Sequence, residues 1–240
     1  MKALVLCGGR GTRLRPYTTV IPKPLMPIGD YPILEILLRQ LHAAGVREVV
    51  LAIGYMGQLF RAFFEDGARL GLNIQYVTED KPLGTAGAVA SSLELLGDDF
   101  LVTNGDLLTT LDFAALFAAH VSNPNAATIG LFPREVKIDF GVIETGATGE
   151  LKTYTEKPTY HFDVSMGVNV LKRGVVKQFI KQGEYLDMPT LMVRLVEAGH
   201  RVGTYRADCS WLDIGRMDDY QTAVDLFEAR KADFLPTDGR

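Results

Sequence analysis

The apolar positions of this chain change period several times along its length. Ala3-Leu4-Val5-Leu6 is a short continuous run that empties into glycines, the pattern of a strand covered on both faces. Within residues 33–41, Leu34, Leu37, Leu38 and Leu41 fall on one helical face, and Gly45 follows as a stop. Residues 48–53 repeat the buried-strand pattern. Leu59, Phe60, Phe63 and Phe64 mark the inward face of a second helix that stops near Gly67, and residues 73–77 supply another strand. Strand, helix, strand, helix, strand predicts a parallel sheet joined by right-handed crossovers.

Pro82-Leu83-Gly84-Thr85-Ala86-Gly87 then leads into a helix through Leu96, and the strand at 100–103 delivers Asn104-Gly105-Asp106 at its carboxyl end. A helix with Phe113, Leu116, Phe117 and His120 on one side follows, then a strand over 127–132. From about Asp139 the pattern breaks into short strands separated by Gly/Thr turns, 140–145, 150–155 and 166–171, expected to form an antiparallel or mixed flank. Helices are expected at 175–181 and 189–198 and a strand at 201–206. A last helix carries Met217, Tyr220, Val224 and Phe227 on its buried face, and the Pro/Gly/Asp-rich tail 234–240 is expected to fray.

The fold class is therefore α/β, a Rossmann-like, mostly parallel sheet flanked by helices, with a small mixed-β flank where a second substrate could be gripped. A chain of 240 residues that is 47% apolar can bury one generous core and hardly two. The expected organisation is one domain over 1–240, with a part to about 135 and a flank over about 136–215. No repeat, no low-complexity linker and no six-residue periodicity of a C-terminal β-helix is present.

Charge and cysteine usage narrow the setting. The balance of 25 basic against 29 acidic residues, net −4, offers no footprint for nucleic acid or an anionic membrane. Cys7 and Cys209 are far apart and have no ligand-spaced partner, so neither a disulfide framework nor a zinc site is expected. No apolar run approaches a bilayer span, and Met1-Lys2-Ala3 runs into the first strand rather than a signal peptide. A cytoplasmic location is expected, and a homo-oligomer stays open.

The basic residues near the start are local machinery. After the first strand come Leu6-Cys7-Gly8-Gly9-Arg10-Gly11-Thr12-Arg13-Leu14, and then a lysine between prolines, Pro22-Lys23-Pro24. Glycines let backbone N–H groups approach an anion and basic side chains neutralise it, so the stretch reads as a polyphosphate cradle. A tight turn with solvated arginines is the plainer alternative. The dinucleotide pattern fails because Leu14 stands where its third glycine would fall, and no Gly-Lys pair exists for a Walker loop.

Asp106, in Asn104-Gly105-Asp106, and Asp213, in Trp211-Leu212-Asp213-Ile214-Gly215, each follow a strand in a glycine-punctuated turn. A turn-capping role would explain either alone. Together with the cradle they suit a hard divalent cation, usually Mg²⁺, held by one or two carboxylates plus phosphate oxygens and water.

These stretches, with Glu156-Lys157-Pro158 and in this order, resemble the sugar-1-phosphate nucleotidyltransferases over nearly the whole chain. The resemblance is nearest to guanylyltransferases acting on mannose-1-phosphate or manno-heptose-1-phosphate. It implies attack of a sugar-1-phosphate oxygen on the α-phosphorus of a nucleoside triphosphate, giving an NDP-sugar and pyrophosphate. Such chemistry asks for alignment and charge neutralisation, not for a covalent nucleophile. By the resemblance the nucleotide lies against Leu6, Gly8, Gly9, Gly11, Thr12, Arg13, Glu79, Gly84, Thr85 and Asn104. Arg13 holds the β,γ-phosphates, and Lys23 sits near the α-phosphorus. Asp106 and Asp213 match metal-binding aspartates, with magnesium as the implied cofactor. Lys157 grips the sugar phosphate, Glu156 and Asn169 read hydroxyls, and Gly141 and Gly167 let amides approach the sugar. Glu156-Lys157 taken alone reads as an exposed charged turn. Cys7 stands where relatives commonly have Ala and reads as packing.

Glu79 bears on the base. It stands where thymidylyl- and uridylyltransferase relatives commonly carry Gln, and a carboxylate only accepts hydrogen bonds. Guanine offers two adjacent donors, whereas uracil or thymine would turn a carbonyl toward it, so GTP is favoured over UTP and dTTP. A strand-ending glutamate in solvent is the alternative. A nucleotide-sugar sensor that has lost turnover is the rival of another class, but Arg13, Lys23, Asp106 and Asp213 are all filled as chemistry requires. Asp106→Asn is expected to keep the fold and lose most turnover at saturating magnesium, read by pyrophosphate release; near-normal turnover would remove Asp106 from the metal role.

Overall fold

The computed structural model describes residues 1–235. The chain runs β1 (Lys2–Cys7), β2 (Pro27–Ile28), β3 (Tyr31–Pro32), α1 (Ile33–Ala43), β4 (Glu48–Ile53), α2 (Gly57–Phe64), β5 (Asn73–Thr78), α3 (Gly84–Ser92), β6 (Asp99–Asn104), β7 (Leu107–Thr109) and α4 (Phe113–Val121). It continues through β8 (Ala127–Lys137), β9 (Val142–Thr145), β10 (Leu151–Thr155), β11 (Thr159–Lys172), α5 (Arg173–Val176), α6 (Met188–Glu197), β12 (Val202–Arg206), β13 (Trp211–Asp213), α7 (Met217–Ala229) and α8 (Lys231–Phe234).

Seven strands form the central sheet in the order β12-β8-β11-β6-β1-β4-β5. β1 is parallel to β4 and β6, β4 to β5, and β12 to β8. β11 alone runs antiparallel, to both of its neighbours. The chain lays β1, β4 and β5 side by side and then returns to the other side of β1 with β6. That reversal opens a crevice at the carboxyl ends of β1 and β6, where ligands of open α/β sheets collect. Gly8 follows one of those ends and Asp106 the other.

Period-two alternation along β1 sends Ala3, Val5 and Cys7 to one face of the sheet and Leu4 to the other. The first face is covered by α1, α2 and α4 through Leu34, Leu37, Phe60, Phe64, Phe113 and Leu116. The second is covered by α3 and α6 through Val89, Leu191 and Leu195. A third cluster, with Leu14, Met26, Ile214 and Phe227, packs beneath the loop after β1.

The structure corrects several expectations. Residues 166–171 are not in a flank: they are the inner part of the 14-residue β11, between β6 and β8. The outer half of β11 pairs with a β8 that runs on to Lys137, and the register slips between Ser165 and Asn169. With the antiparallel β9–β10 pair, these outer halves carry most of the exposed residues of the flank. The helix expected at 175–181 is the single turn α5, which starts earlier, at Arg173, and carries Gly174 within it; Ile180 is buried all the same. Phe63 is 43% exposed, because α2 buries the one stripe that carries Phe60 and Phe64, four residues apart. Met217, the first residue of α7, is also exposed. Phe234 is buried against Phe227 rather than frayed, and residues 236–240 of the expected tail lie outside the described residues. Among the described residues no helix is long and apolar enough to cross a membrane.

β1 and the turn after β6 approach closely. Gly105 N–H donates to Leu6 O at 3.0 Å, and a Cβ on Gly105 would lie 2.6 Å from Cys7 Sγ. Gly105→Ala is expected to cost about 1–3 kcal/mol by overpacking, measured by urea unfolding. Cys7→Ala in the same chain should return part of that loss, and strict additivity of the two changes would rule out the contact as its cause.

Candidate functional site

The loop after β1 is fastened from within. Gly11 takes a left-handed φ of +59°, and its carbonyl accepts Leu14 N–H at 2.9 Å and the Thr18 hydroxyl at 2.8 Å. Short 3₁₀ turns follow at Thr12–Leu14, Tyr17–Thr19 and Lys23–Leu25. A Cβ on Gly11 would meet Thr18 and Lys23 side-chain carbons at 3.0 and 3.1 Å, so glycine is needed for both angle and space. Leu14 is buried beneath while Arg10 and Arg13 stay exposed above.

Lys23 is the centre of the charges. It is only 7% exposed, and its Nζ lies 2.5 Å from Asp106 Oδ2 and 3.8 Å from Asp213 Oδ1. The aspartates are drawn together by a minimal ladder: β13 pairs antiparallel with β7, setting Asp213 opposite Leu107, and Ile214 N–H reaches Asp106 O at 3.4 Å. Burial and then Asp106 push the Asp213 carboxyl above its usual range, while Lys23 and Arg13 pull it back. Among the described residues no cluster of three or more metal-ligating side chains occurs. Two carboxylates that already converge on one cation fit a hard divalent ion that draws its remaining ligands from phosphate and water. Burial and then Asp106 raise the Cys7 thiol well above its ordinary value, as for a cysteine that packs rather than reacts.

Three cavities meet at Leu6. One of about 240 Å³ is bounded by Gly9, Gly11, Thr12, Arg13, Lys23 and Asp106. A second of about 430 Å³ runs past Gly8, Gly9, Arg10, Glu79, Gly84, Thr85 and Asn104, with small Ala52 and Ala88 leaving room. Here Glu79 Oε1 is buried without a hydrogen-bond partner, and Oε2 lies 3.0 Å from where a Cβ on Gly8 would stand. Burial raises the Glu79 carboxyl above its usual range. The start of α3 is tied to the segment before α6: Leu186 O accepts Ala86 and Gly87 N–H at 3.0 Å each, and a Cβ on Gly84 would strike that carbonyl.

The third cavity, about 470 Å³, takes Asn104 and Thr85 on one side, Gly167, Asn169 and Ser165 on another, and Asp213 at one end. Gly167 sits in the β11 register slip at φ +72°, and a Cβ there would lie 2.5 Å from Asn104 Nδ2. The slip is a bulge of the kind found beside functional sites. Gly141, Glu156 and Lys157 do not line any of the three cavities. Glu156 and Lys157 are exposed between β10 and β11, Lys157 with a left-handed φ of +46°, and Gly141 packs on the Tyr154 ring.

Sequence reasoning missed the wall that α6 gives this third cavity through Met188, Pro189 and Met192. Asp187 and Pro189 signal a helix start there. Nothing in the pattern says which cavity that start faces.

The nucleotidyl transferase family matches residues 2–230. The chain is 36% identical over 225 residues to the mannose-1-phosphate guanylyltransferase of Mycobacterium tuberculosis, covering 91% of this chain and 62% of that protein. It is 31% identical over 243 residues to the UTP–glucose-1-phosphate uridylyltransferase of Synechocystis, covering 93% and 62%. The chain therefore spans less than two thirds of the length of these relatives. HddC of Yersinia pseudotuberculosis complexed with GMP-PN matches at a TM-score of 0.73 and 20% identity, covering 94% of this chain and 99% of that one. A Bacillus anthracis protein in complex with sucrose matches at 0.75 and 22%, covering 94% of each. At such identities the likeness establishes the fold.

Proposed function

The chain belongs to the nucleotidyl transferase family, and from that premise we propose that it transfers a guanylyl group from GTP to a mannose- or manno-heptose-type sugar-1-phosphate. An oxygen of the sugar phosphate attacks the α-phosphorus, the bond to the β-phosphate breaks, and pyrophosphate leaves. The observation that carries the choice of base is the half-buried Glu79 carboxylate, whose Oε1 is enclosed and unpartnered beside the glycines of the loop. Guanine would supply two adjacent donors to it. A pyrimidine carbonyl set against the same acceptor would cost about 1–3 kcal/mol. The guanylyltransferase relative supports this choice, and the uridylyltransferase relative supports UTP with another hexose-1-phosphate as the second reading.

The residue roles follow from charge and position. Arg13 and the exposed Arg10 would receive the departing phosphates, and Lys23 would offset charge at the α-phosphate. Gly167 and Asn169 would face the sugar across the third cavity, with Gly141, Glu156 and Lys157 approaching it from the exposed β9–β11 flank. Asp106 and Asp213 would hold a magnesium ion, which supplies charge neutralisation to the phosphate oxygens. No nucleophilic side chain is asked for, since alignment and fixed charge suffice. Cys7 and Cys209, both free thiols, suit a reducing cytoplasm.

The test is a pyrophosphate-release panel that pairs GTP, UTP, dTTP, CTP and ATP with hexose- and heptose-1-phosphates in magnesium. GTP should be used at least about tenfold better than UTP or dTTP, and Glu79→Gln should narrow that gap. Because burial raises the Glu79 carboxyl, it takes up its proton at higher pH than an exposed glutamate does. The preference for GTP should therefore shrink as pH falls into that range and hold above it. Equal use of the three triphosphates by the unaltered chain would sink the base assignment, and no release with any pair would favour the sensor.

A further inference from the structure

The first turn of α6 borders the third cavity and has no N–H to give. Met188 N–H donates to Thr85 Oγ1 at 2.7 Å. Pro189 has none, and Thr190 N–H is capped by Asp187 Oδ1 at 2.9 Å. Leu191 N–H already serves the helix, donating to Asp187 O at 3.1 Å. A helix start ordinarily presents unpaired donors; this one has spent them before any ligand arrives.

The side chains continue the same surface. Met188, Pro189 and Met192 line the cavity and offer at most a thioether, a weak acceptor. Trp211 lines the same cavity, and its indole N–H is spent on Met166 O at 3.0 Å, so the ring presents carbon. The polar lining comes from Asn104 and Asp213 at strand ends, from Ser165 and Asn169 at the β11 slip, and from Thr85, whose hydroxyl oxygen already accepts Met188 N–H. The cavity thus has polar groups that can read hydroxyls and an apolar surface, built by Met188, Pro189, Met192 and the Trp211 ring, that suits C–H groups.

A sugar phosphate held at its phosphate end by the charges around Lys23 and Asp213 reaches this wall with the part furthest from C1, the exocyclic carbon beyond the ring. A hydroxyl set against Met192 and the Trp211 ring would lose its water and find no partner, whereas a methyl would lose nothing and gain apolar burial. We infer that the sugar-1-phosphate carries a methyl in place of the hydroxymethyl group where it meets Met188 and Met192, a 6-deoxyhexose-1-phosphate. This inference rests on the sugar-1-phosphate reading of the site and narrows it: 6-deoxymannose-1-phosphate is preferred to mannose-1-phosphate, and both to the more hydroxylated manno-heptose.

The experiment uses the full chain and two readouts. Titration calorimetry compares 6-deoxymannose-1-phosphate with mannose-1-phosphate in the presence of a non-transferable GTP analogue, and pyrophosphate release with GTP compares their turnover. The deoxy sugar should bind at least about tenfold tighter, the size of a missing or extra partner in a closed pocket. Met192→Gln, which puts an amide on a chain of similar length, should narrow the ratio, while Met192→Leu should keep it. Met188→Gln serves the same purpose if Met192→Gln does not fold. Equal affinities in the unaltered chain, no binding of either sugar phosphate, or a preference unchanged by the glutamine variants would overturn the inference. Equal pyrophosphate release from both sugars would overturn it and leave the transfer reaction standing. A clear binding preference with no release from any triphosphate would support it and count against the transfer reaction.

Discussion

One ammonium group organises the charged half of this molecule. Lys23 Nζ, almost fully buried, is held within 2.5 Å of Asp106 and 3.8 Å of Asp213, and the three come from segments distant in sequence. The buried lysine depends on its partners most. Two carboxylates at close range repel, and a lysine deprived of water needs a partner. Their mutual neutralisation lets a chain with a net charge of −4 keep a cationic loop and an acidic pair in one crevice. The pairing of β7 with β13 is what brings the second acid within reach.

The first half of the fold was legible because its signals are local and redundant. Periodicity, glycine stops and strand-ending turns agree from β1 to β6, and the parallel order follows from them. Asp106 was legible for the same reason, as the residue delivered by a strand end. Asp213 could be named, but the three-residue strands that place it are too short to show a period. β11 misled for a physical reason: its outer half is exposed on both faces and its inner half buried on both, so it reads as unrelated fragments. The bulge that joins those halves is a register event with no compositional signature beyond Gly167.

The flank shows a different limit. Val136, Phe140, Ile143, Leu151, Tyr154, Tyr160 and Phe162 are exposed on or beside its strands, whereas sequence patterning counts such residues as core. Glu156 and Lys157 stand out on the same flank, away from the cavities. Charge and motif order can name such residues, but their distance from a substrate is set by the lie of the ribbon, which no spacing encodes. Glu79 is the converse case. Its residue type was visible, and its burial with a bare oxygen came only with the packing of Gly8 against it.

The carbonyl of Leu186 belongs to the segment that leads into the α6 wall of the third cavity, yet it accepts two amide protons from the opening turn of α3, and Thr85 returns the favour by accepting Met188 N–H. The walls of the second and third cavities are thus parts of one hydrogen-bonded joint rather than modules on a shared base. A chimera that exchanged the second half of the chain for a relative's would have to rebuild this joint before it could rebuild a pocket, and a misfit of a few tenths of an ångström would be felt in the second cavity. In such an architecture single side-chain replacements on α6 disturb the joint less than grafting whole segments, so the lining of the third cavity can change while the backbone around it stays fixed.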